Sequence, residues 1–360
     1  MSSDDSAVTA RLVAATTVEI LDAAPASDGF DEPAWRSLCA AGLHLIGVGE
    51  ERGGPGGSWL EARSALRAAA EKAVPVPLAE VLFGVAPALE TGLTDPGNGS
   101  CLTCSTFASS STLRARPAGS GWWFEGVASR VPFARHADSL VAVAAAGEAS
   151  VVAVIPASAP GVSVQPGLNV ADEPRDDVRL TGCDVPAEWA AAMAPDRAAG
   201  LRRLAALARS VQIAAACDRV ASLTVRYASE RRQFGRPIGR FQAVALQVAA
   251  VIGEAAVVNA GVEAAFGALG SPGEAVAVAA AKARAAQAAT LVAGTAHQVF
   301  GALGFTQEHP LHRLTRRLWA WRDEVGRPEY WQCELGGIVL AAGADGLWPL
   351  LSGTPEVATP

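Results

Sequence analysis

The residues of this 360-residue chain that could do chemistry are concentrated in two stretches of its C-terminal half. The first, SERRQFGRPIGRFQAVALQVA at residues 229–249, contains four arginines around Gln-Phe-Gly and Arg-Pro-Ile-Gly. A plain amphipathic helix needs neither interruption, because Gly and Pro both disfavour a helix interior. Arg231 taken alone could be a solvated arginine at a helix end. The whole pattern instead indicates a segment that holds a ligand.

The N-terminal part of the chain, residues 1–93, is predicted to be an α-helical domain that helps to position these stretches. Asp31-Glu32-Pro33 is a good helix start. A glycine-rich loop, LIGVGEERGGPGG at residues 45–57, lacks the register of a phosphate-binding loop. Apolar residues recur at helical spacing over Ala7–Ala24, Ala34–Ala41 and Glu61–Glu71.

Residues 94–196 change to short segments rich in β-branched and aromatic residues, separated by Gly, Pro, Ser or Asp. These segments are Trp122–Phe124, Leu140–Ala144, Val151–Ile155, Val162–Val164 and Val178–Leu180. They predict a middle β domain, built as a small barrel or sandwich.

Residues 197–360 return to long, alanine-rich helical patterns of a length typical of an antiparallel four-helix bundle. The segments are Arg197–Arg231, Phe241–Ala268, Gly273–Ala302 and Tyr330–Ala342. The sequence therefore predicts an α+β multidomain protein, with an N-terminal α-helical domain, a middle β domain and a C-terminal four-helix bundle.

An α domain, a β domain and an α bundle rarely follow one another in this order, and here the first stretch resembles the flavin-contact signature of the acyl-CoA dehydrogenase family. The second stretch, HQVFGALGFTQEHPLHRLTRR at residues 297–317, resembles the second signature of the same family. The two lie at the family's usual separation, and the loop at 45–57 is a weaker match to its N-terminal domain. The resemblance covers nearly the whole chain and implies the family's α–β–α fold and its tetramers.

The resemblance implies FAD as the cofactor, with its adenosine and pyrophosphate end reaching across to the bundle of a neighbouring subunit. In that role Arg231 would be a fixed cation for a pyrophosphate. Phe234 would offer an aromatic face, and Gly301 would permit close backbone approach. The family usually has a second glycine where Ala302 stands. The residues implied by motif to contact a neighbour's FAD are Arg231, Gln233, Phe234, Gln242, Gln298, Gly301 and Ala302.

The family's reaction is the α,β-dehydrogenation of an acyl-CoA thioester, in which a glutamate takes the weakly acidic α proton. One family position for that glutamate falls on Val325, next to Glu324. The other falls near Ala205, and residues 197–217 contain no Asp or Glu. Glu324 is therefore the one candidate catalytic base, provided that its loop shifts by one residue.

The middle domain departs from the family's pattern in two segments. Residues 104–117 read CSTFASSSTLRARP where the family has Thr-Glu-Pro-Gly-Ala-Gly-Ser-Asp. Val131-Pro132-Phe133 stands where the family has Trp-Ile-Thr or Trp-Ile-Ser against the flavin ring. The chain thus keeps the family's residues that contact a neighbour's FAD, but it departs from the family's pattern in the middle-domain segments that contact its own FAD.

Some members of the family, notably in actinobacterial steroid breakdown, are α2β2 heterotetramers in which one subunit completes the cofactor site of the other. This sequence resembles the completing subunit. A self-sufficient homotetramer that uses Glu324 as base is the alternative, and a flavin-free scaffold or acyl-CoA-binding relative is a third. The implied partners are a second acyl-CoA dehydrogenase subunit or the chain itself, an acyl-CoA and an electron-transferring flavoprotein.

Composition and charge argue against several other classes of protein. A net charge of −7 and a pI of about 5.4 argue against nucleic-acid binding. The polar, acidic N-terminus lacks the features of a signal peptide, and no uninterrupted apolar run predicts a membrane span. The six cysteines, including the pair in CLTC at 101–104, are expected to be reduced in a cytoplasmic protein, and no metal site is expected.

Overall fold

The computed structural model describes residues 3–23, 29–93 and 102–352, so Cys101 lies outside the described part. The helices are α1 Ser3–Asp22, α2 Glu32–Ala40, α3 Trp59–Lys72, α4 Leu78–Glu80, α5 Ala86–Leu89, α6 Pro195–Glu230, α7 Gln242–Gly267, α8 Glu274–Phe300, α9 Leu311–Asp323 and α10 Pro328–Ser352. The strands are β1 Leu102–Cys104, β2 Ser110–Ser111, β3 Arg114–Ala118, β4 Gly121–Pro132, β5 Ser139–Ala146, β6 Ala149–Pro156, β7 Val162–Gln165, β8 Arg175–Val185, β9 Ala190–Met193, β10 Arg232–Gln233 and β11 Arg236–Pro237. The predicted α+β fold class is confirmed, with helices first, a sheet domain in the middle and a helical bundle last.

Local sequence explains where the N-terminal helices begin. Asp31 accepts a hydrogen bond from the backbone N–H of Ala34, which caps α2 at a distance of 3.0 Å. Ser58 and Glu61 form a capping box at the start of α3. Between α4 and α5 the buried segment Val81–Val85 widens into a π-helix, directly after Glu80.

The middle domain is one mixed sheet whose main path runs β7-β8-β4-β3-β5-β6-β9. All five predicted strand segments lie within β4 to β8. Side chains on the inner face, including Phe124, Val151 and Ile155, are fully buried and form a core of their own. The sheet therefore has a packed core that holds the loops after β4 and before β8 in position.

The helical parts at the two ends of the chain share a single hydrophobic core, which includes Trp35, Phe83, Val211 and Trp321. The long helix α6 packs against α3, α7, α8 and α9. Its alanine-rich faces let these neighbours approach closely, because small side chains permit short distances between helices. α6 is therefore the element that connects the N-terminal domain, the bundle and the sites described below.

Two segments, α7 and Glu274–Phe305, are long and apolar enough to cross a membrane by length and composition alone. The apolar window of the second is 56% buried, as expected for a core helix. That of α7 is only 17% buried, and its outer face exposes Leu246, Ile252 and Val257. An apolar surface of this kind is typical of a protein interface. The absence of a membrane span stays a prediction.

Candidate functional site

The first signature segment forms an exposed loop at the end of α6. Arg231 follows the last helical residue, and the strands β10 and β11 then form a two-residue hairpin. Its turn residues, Phe234 and Gly235, have φ angles of 48° and 80°, and positive φ at both positions is what a type I′ turn requires. The side chain of Phe234 is 92% exposed. Arg231, Gln233 and Gln242 are exposed as well.

The second segment ends α8 next to this loop. Gln298, Gly301 and Ala302 are all exposed there. A Cβ atom at Gly301 would meet no other atom within 4 Å, so the surface beside it is open. The rings of Tyr227 and Phe300 stack at 4.3 Å, and the Tyr227 hydroxyl donates to the Phe300 carbonyl oxygen at 3.4 Å. This contact joins the end of α6 to the end of α8 and brings the two predicted segments together.

The exposed loop is strongly cationic. We call the five arginines at the end of α6 and in the loop the arginine face: Arg226, Arg231, Arg232, Arg236 and Arg240. Within the described residues, none of their side-chain nitrogens lies within 4.0 Å of a carboxylate oxygen. Arg232 donates to the carbonyl oxygen of Gly235, and the Arg236 guanidinium lies 4.2 Å from the centre of the Phe241 ring. Unpaired cations beside an open backbone suit a phosphate-bearing ligand.

A second cluster of arginines lies inside the protein and has the opposite character. Three arginines and three glutamates alternate there in what we call the ion-pair chain. Its order is Glu80, Arg209, Glu324, Arg175, Glu173 and Arg317. The successive N–O distances are 2.6, 2.8, 2.7, 2.9 and 2.9 Å, and every member is buried. The formal charges of the six members sum to zero, although Arg209 Nε is buried without a hydrogen-bond partner among the described residues.

All three parts of the fold contribute to the ion-pair chain. Glu80 comes from the N-terminal domain, Glu173 and Arg175 come from the sheet domain, and the other three members come from the bundle. Asn169 donates one amide group to both Glu173 and Glu324, at 2.9 and 3.1 Å. The cluster thus ties the domains together where they meet.

The segment Val131-Pro132-Phe133 is clamped against this cluster. Asp176, fully buried, accepts a hydrogen bond from the backbone N–H of Arg135 at 2.7 Å and from its Nε at 2.9 Å. Phe133, 3% exposed, has a φ of 53°, and the Arg175 guanidinium lies 5.5 Å from the centre of its ring. Phe133 therefore packs on a buried arginine of its own chain.

Glu324, the candidate catalytic base, is a member of the ion-pair chain. Burial alone would raise its pKa, but Arg175 and Arg209 outweigh that effect and lower the pKa to about 2. A general base works best with a pKa near the working pH and with a lone pair directed at the substrate. Both Glu324 oxygens instead accept from the Arg175 guanidinium, and Arg209 forms an ion pair with one of them, so this environment does not suit proton abstraction.

The two family positions for the catalytic glutamate are occupied by buried apolar residues. Val325 is fully buried and has a φ of 57°, which is unusual for a β-branched residue. Its carbonyl oxygen accepts from the Trp331 indole at 2.9 Å. Ala205 is also fully buried, one helical turn before Arg209 on the same face of α6. Neither position therefore carries a carboxylate, and Arg209 lies one helical turn from Ala205.

Little space remains around the ion-pair chain. The cavity bounded by Phe133, Arg175, Arg209 and Trp321 has a volume of about 10 Å³. A ligand site normally needs about 300–1,000 Å³, whereas about 10–15 Å³ holds a single water molecule. The sequence did offer a signal for this arrangement, because Arg209 is a lone charge within the apolar run LAALARSVQIAAA at 204–216.

A family model matches part of the chain. Residues 198–326 match the model described as "Acyl-CoA dehydrogenase, C-terminal domain". The matched region runs from α6 to the residues just after α9 and includes both signature segments.

Relatives and solved structures extend the similarity beyond that region. The chain is 32% identical over 236 residues to the acyl-CoA dehydrogenase FadE28 of Mycobacterium tuberculosis. This alignment covers 60% of this chain and 66% of FadE28. It is 28% identical over 306 residues to FadE27 of the same organism, covering 79% and 82%. The crystal structure of the ChsE4-ChsE5 complex from M. tuberculosis contains a chain with a TM-score of 0.85 and 25% identity, covering 92% of this chain and 97% of that one.

Proposed function

Since this chain belongs to the acyl-CoA dehydrogenase family, we propose that it is the subunit that completes the FAD site of a catalytic acyl-CoA dehydrogenase partner in an α2β2 heterotetramer. In this role the chain supplies cofactor contacts across the interface, and the partner supplies the catalytic base. The acyl-CoA substrate, the electron-transferring flavoprotein that accepts the electrons and a cytoplasmic location belong to the same proposal.

The observation that carries this proposal is the contrast between Glu324 and Arg231. Glu324, the candidate catalytic base, is held by two guanidinium groups in a filled interior. The arginine predicted to contact a neighbour's FAD is exposed and has no carboxylate partner within the described residues. A self-sufficient subunit would also use an exposed Arg231 for its neighbour, but it would need a carboxylate that is free to face its own substrate.

The residues on the exposed loop fit the cofactor they would hold. Arg231 would pair with a pyrophosphate, because a guanidinium binds phosphate oxygens in a bidentate manner. Phe234 would offer its exposed ring, and Gln242 and Gln298 would serve as neutral donors and acceptors. FAD, once bound, supplies the hydride acceptor of the reaction. This chain would orient it and would keep water from the interface.

Two further observations support a partner subunit. The outer face of α7 begins at Gln242 and continues the exposed loop with uncovered apolar residues. A surface of this kind is costly to leave in water and favours association. A chain of closely similar fold was crystallised as one component of a two-protein complex, ChsE4-ChsE5.

The experiment is to purify the chain alone and together with a catalytic family member, and to measure FAD per chain. We expect no bound FAD in the isolated chain and one FAD per heterodimer in the complex. Arg231→Ala should weaken FAD binding by the complex about ten- to a hundredfold, which corresponds to the loss of one charge-assisted contact. Arg179→Ala, an exposed arginine on β8, is the matched control and should leave FAD content unchanged.

The alternatives give different results in the same measurement. One FAD per chain and turnover by the isolated protein would support a self-sufficient homotetramer. An assembly that never binds FAD would support a flavin-free scaffold. Normal FAD retention after Arg231→Ala would contradict the assignment of the exposed loop.

A further inference from the structure

His297, the residue before Gln298, lies inside the second signature segment but is not among the cofactor contacts that the resemblance implies. It belongs to the last turn of α8, and its backbone carbonyl oxygen accepts from the N–H of Gly301. The next residues, Gly301–Phe305, form a 3₁₀ helix that we call the signature turn. Gly301 begins it with a φ of 60°, so the chain changes direction where α8 ends. Whatever holds this turn in place also sets how Gln298 and Gly301 face a neighbouring subunit.

The His297 ring contacts the signature turn and α9 at the same time. Its Nε2 lies 2.9 Å from the hydroxyl oxygen of Thr315 on α9, and Thr315 is buried. Its face stacks on the Phe305 ring, with 4.3 Å between the ring centres. Gly304 packs against the ring, because a Cβ atom at that position would lie only 3.0 Å from His297 Nδ1. One imidazole thus joins α8, α9 and the far end of the turn.

The hydrogen bonds around this ring favour one tautomer. The Thr315 hydroxyl donates to the His312 carbonyl oxygen at 3.3 Å, which leaves the hydroxyl oxygen to accept from His297 Nε2–H. Nδ1 is buried and has no hydrogen-bond partner among the described residues. A buried lone pair is tolerated more readily than a buried N–H without an acceptor. The neutral ring with its proton on Nε2 therefore fits this environment, and the imidazolium ion does not.

The surrounding charges oppose protonation as well. Burial and, secondarily, His312 at the start of α9 lower the pKa of His297 from its ordinary value of 6.5. His312 is in turn close to His309, and His309 is close to Arg226 on α6. Within the described residues, no carboxylate oxygen lies within 4.0 Å of the His297 ring nitrogens. Nothing in these contacts would compensate a positive charge on the ring.

We propose that His297 is a positioning residue for the signature turn. It holds the turn through its hydrogen bond to Thr315 and its stacking on Phe305. The turn then presents Gln298 and Gly301 in the arrangement that a neighbour's FAD requires. This inference rests on the proposed function, because the FAD would belong to the partner subunit's active site.

The experiment measures the dissociation constant of FAD for the complex of the full chain with its catalytic partner. Thr315→Val removes the acceptor of His297 Nε2–H and should weaken FAD binding about three- to tenfold, as expected for the loss of one hydrogen bond. Thr315→Ser keeps the hydroxyl and should restore the affinity of the unaltered complex. Thr17→Val is the matched control, because it removes a buried threonine hydroxyl from α1 in the N-terminal domain. It should lower the melting temperature and leave FAD affinity unchanged.

A pH profile separates positioning from a merely structural role. In the unaltered complex, FAD affinity should fall as the pH decreases below 6.5, because protonation places an N–H at Nδ1, where no acceptor lies among the described residues. His297→Gln should bind FAD more weakly and should lose this part of the pH dependence. His309 and His312 titrate in both proteins, so the difference between the two profiles belongs to His297.

The outcomes are distinct. Unchanged FAD affinity in both Thr315→Val and His297→Gln overturns the inference, even if the melting temperature falls, and so does a Thr315→Ser variant as weak as Thr315→Val. If a variant does not assemble, the profile of the unaltered complex decides, and an affinity that stays constant or rises as the pH falls overturns the inference. If Arg231→Ala still lowers FAD affinity in these cases, the proposed function stands and only the role of His297 fails. If Arg231→Ala is silent too, the proposed function fails with it.

Discussion

Two phenylalanines of this chain share a strained backbone conformation and differ in everything around it. Phe133 has a φ of 53° and Phe234 a φ of 48°, in a region that non-glycine residues seldom adopt. Phe133 is buried, lies edge-on to Phe30 at 5.9 Å and contacts the Arg175 guanidinium. Phe234 is 92% exposed, and its described ring contact is Phe241, edge-on at 6.1 Å. Packing within the chain compensates the first strain but not the second.

The arginines near these rings repeat the contrast. Arg175, Arg209 and Arg317 are buried and each meets a carboxylate. The arginine face is exposed and, among the described residues, meets none. Strain and unpaired charge that the chain does not compensate are more common at functional sites than elsewhere. The comparison therefore separates a structural arginine cluster from one that is available to a ligand.

The largest expected effect tests the structural cluster. Glu324→Gln should reduce the free energy of unfolding by about 3–5 kcal/mol, because it leaves Arg175 and Arg209 buried beside a neutral amide. Urea unfolding of the isolated chain measures this loss. Asp323→Asn is the control, since Asp323 is 42% exposed and pairs with Arg322 at the surface, and its loss should stay below about 1 kcal/mol.

Acid titration sharpens the same test. The pKa of Glu324 lies near 2 in the folded chain and below its ordinary value of 4.5. Its contribution to stability is therefore complete above pH 4.5 and is lost as the pH falls towards 2. Glu324→Gln should remove this part of the acid dependence. A variant of normal stability and FAD content that has lost turnover would contradict the structural role and would make Glu324 the base of a self-sufficient enzyme.

Local patterns in the sequence are sufficient for the fold class but not for the interior of the site. The predicted strand segments and long helices follow from periodicity, which depends on neighbouring residues. α9 is absent from the prediction, although Leu311, Leu314, Leu318 and Trp321 all face the core. Its four arginines between residues 313 and 322 suggest a solvated surface, whereas Arg317 is buried in the ion-pair chain.

Some of the site residues can be predicted from local sequence, and others cannot. Both signature segments are contiguous in sequence, so a motif can identify Arg231 and Gln298 without a structure. The ion-pair chain joins Glu80, Arg209 and Glu324, which lie more than 100 residues apart. No local pattern specifies which buried carboxylate meets which guanidinium, and sequence alone therefore left Glu324 as a candidate base.

An intermediate effect is expected from Lys282, a fully buried cation without a carboxylate partner in hydrogen-bonding distance among the described residues. Its Nζ donates to the carbonyl oxygens of Arg322, Trp321 and Gly326, at 2.8, 3.4 and 3.5 Å, where α9 ends. Burial and, secondarily, the charge of Arg209 lower its pKa from 10.5 to about 7. Lys282 therefore stands between the two classes, because it is buried like the ion-pair chain but pairs only with backbone oxygens.

The sign of its pH dependence follows from that pKa. Between pH 7 and pH 10.5 the unfolded chain holds a proton on Lys282 that the folded chain has released, so stability rises with pH. The slope should rise from half that limit at pH 7 towards 1.4 kcal/mol per pH unit, which gives about 2 kcal/mol from pH 7 to pH 9. Lys282→Met should remove this rise of the free energy of unfolding with pH, measured by urea unfolding at several pH values. Lys72→Met, at the only other lysine, should not. An unchanged slope in Lys282→Met would mean that the buried ammonium group keeps its ordinary pKa.

The smallest expected effect concerns the strained turn on the exposed loop. A two-residue type I′ turn favours Asn followed by Gly, and here Phe234 occupies the first position. Phe234→Asn should raise the free energy of unfolding of the isolated chain by about 0.5–1 kcal/mol, since it relieves strain and removes no buried contact. The same change at Phe133 should destabilise the chain by several kcal/mol, because it places a polar group in a core position. In the complex, Phe234→Asn should weaken FAD binding despite its more stable turn. A variant that gains stability and retains full FAD affinity would show that the ring serves neither fold nor cofactor, and the contrast between the two phenylalanines would lose its functional meaning.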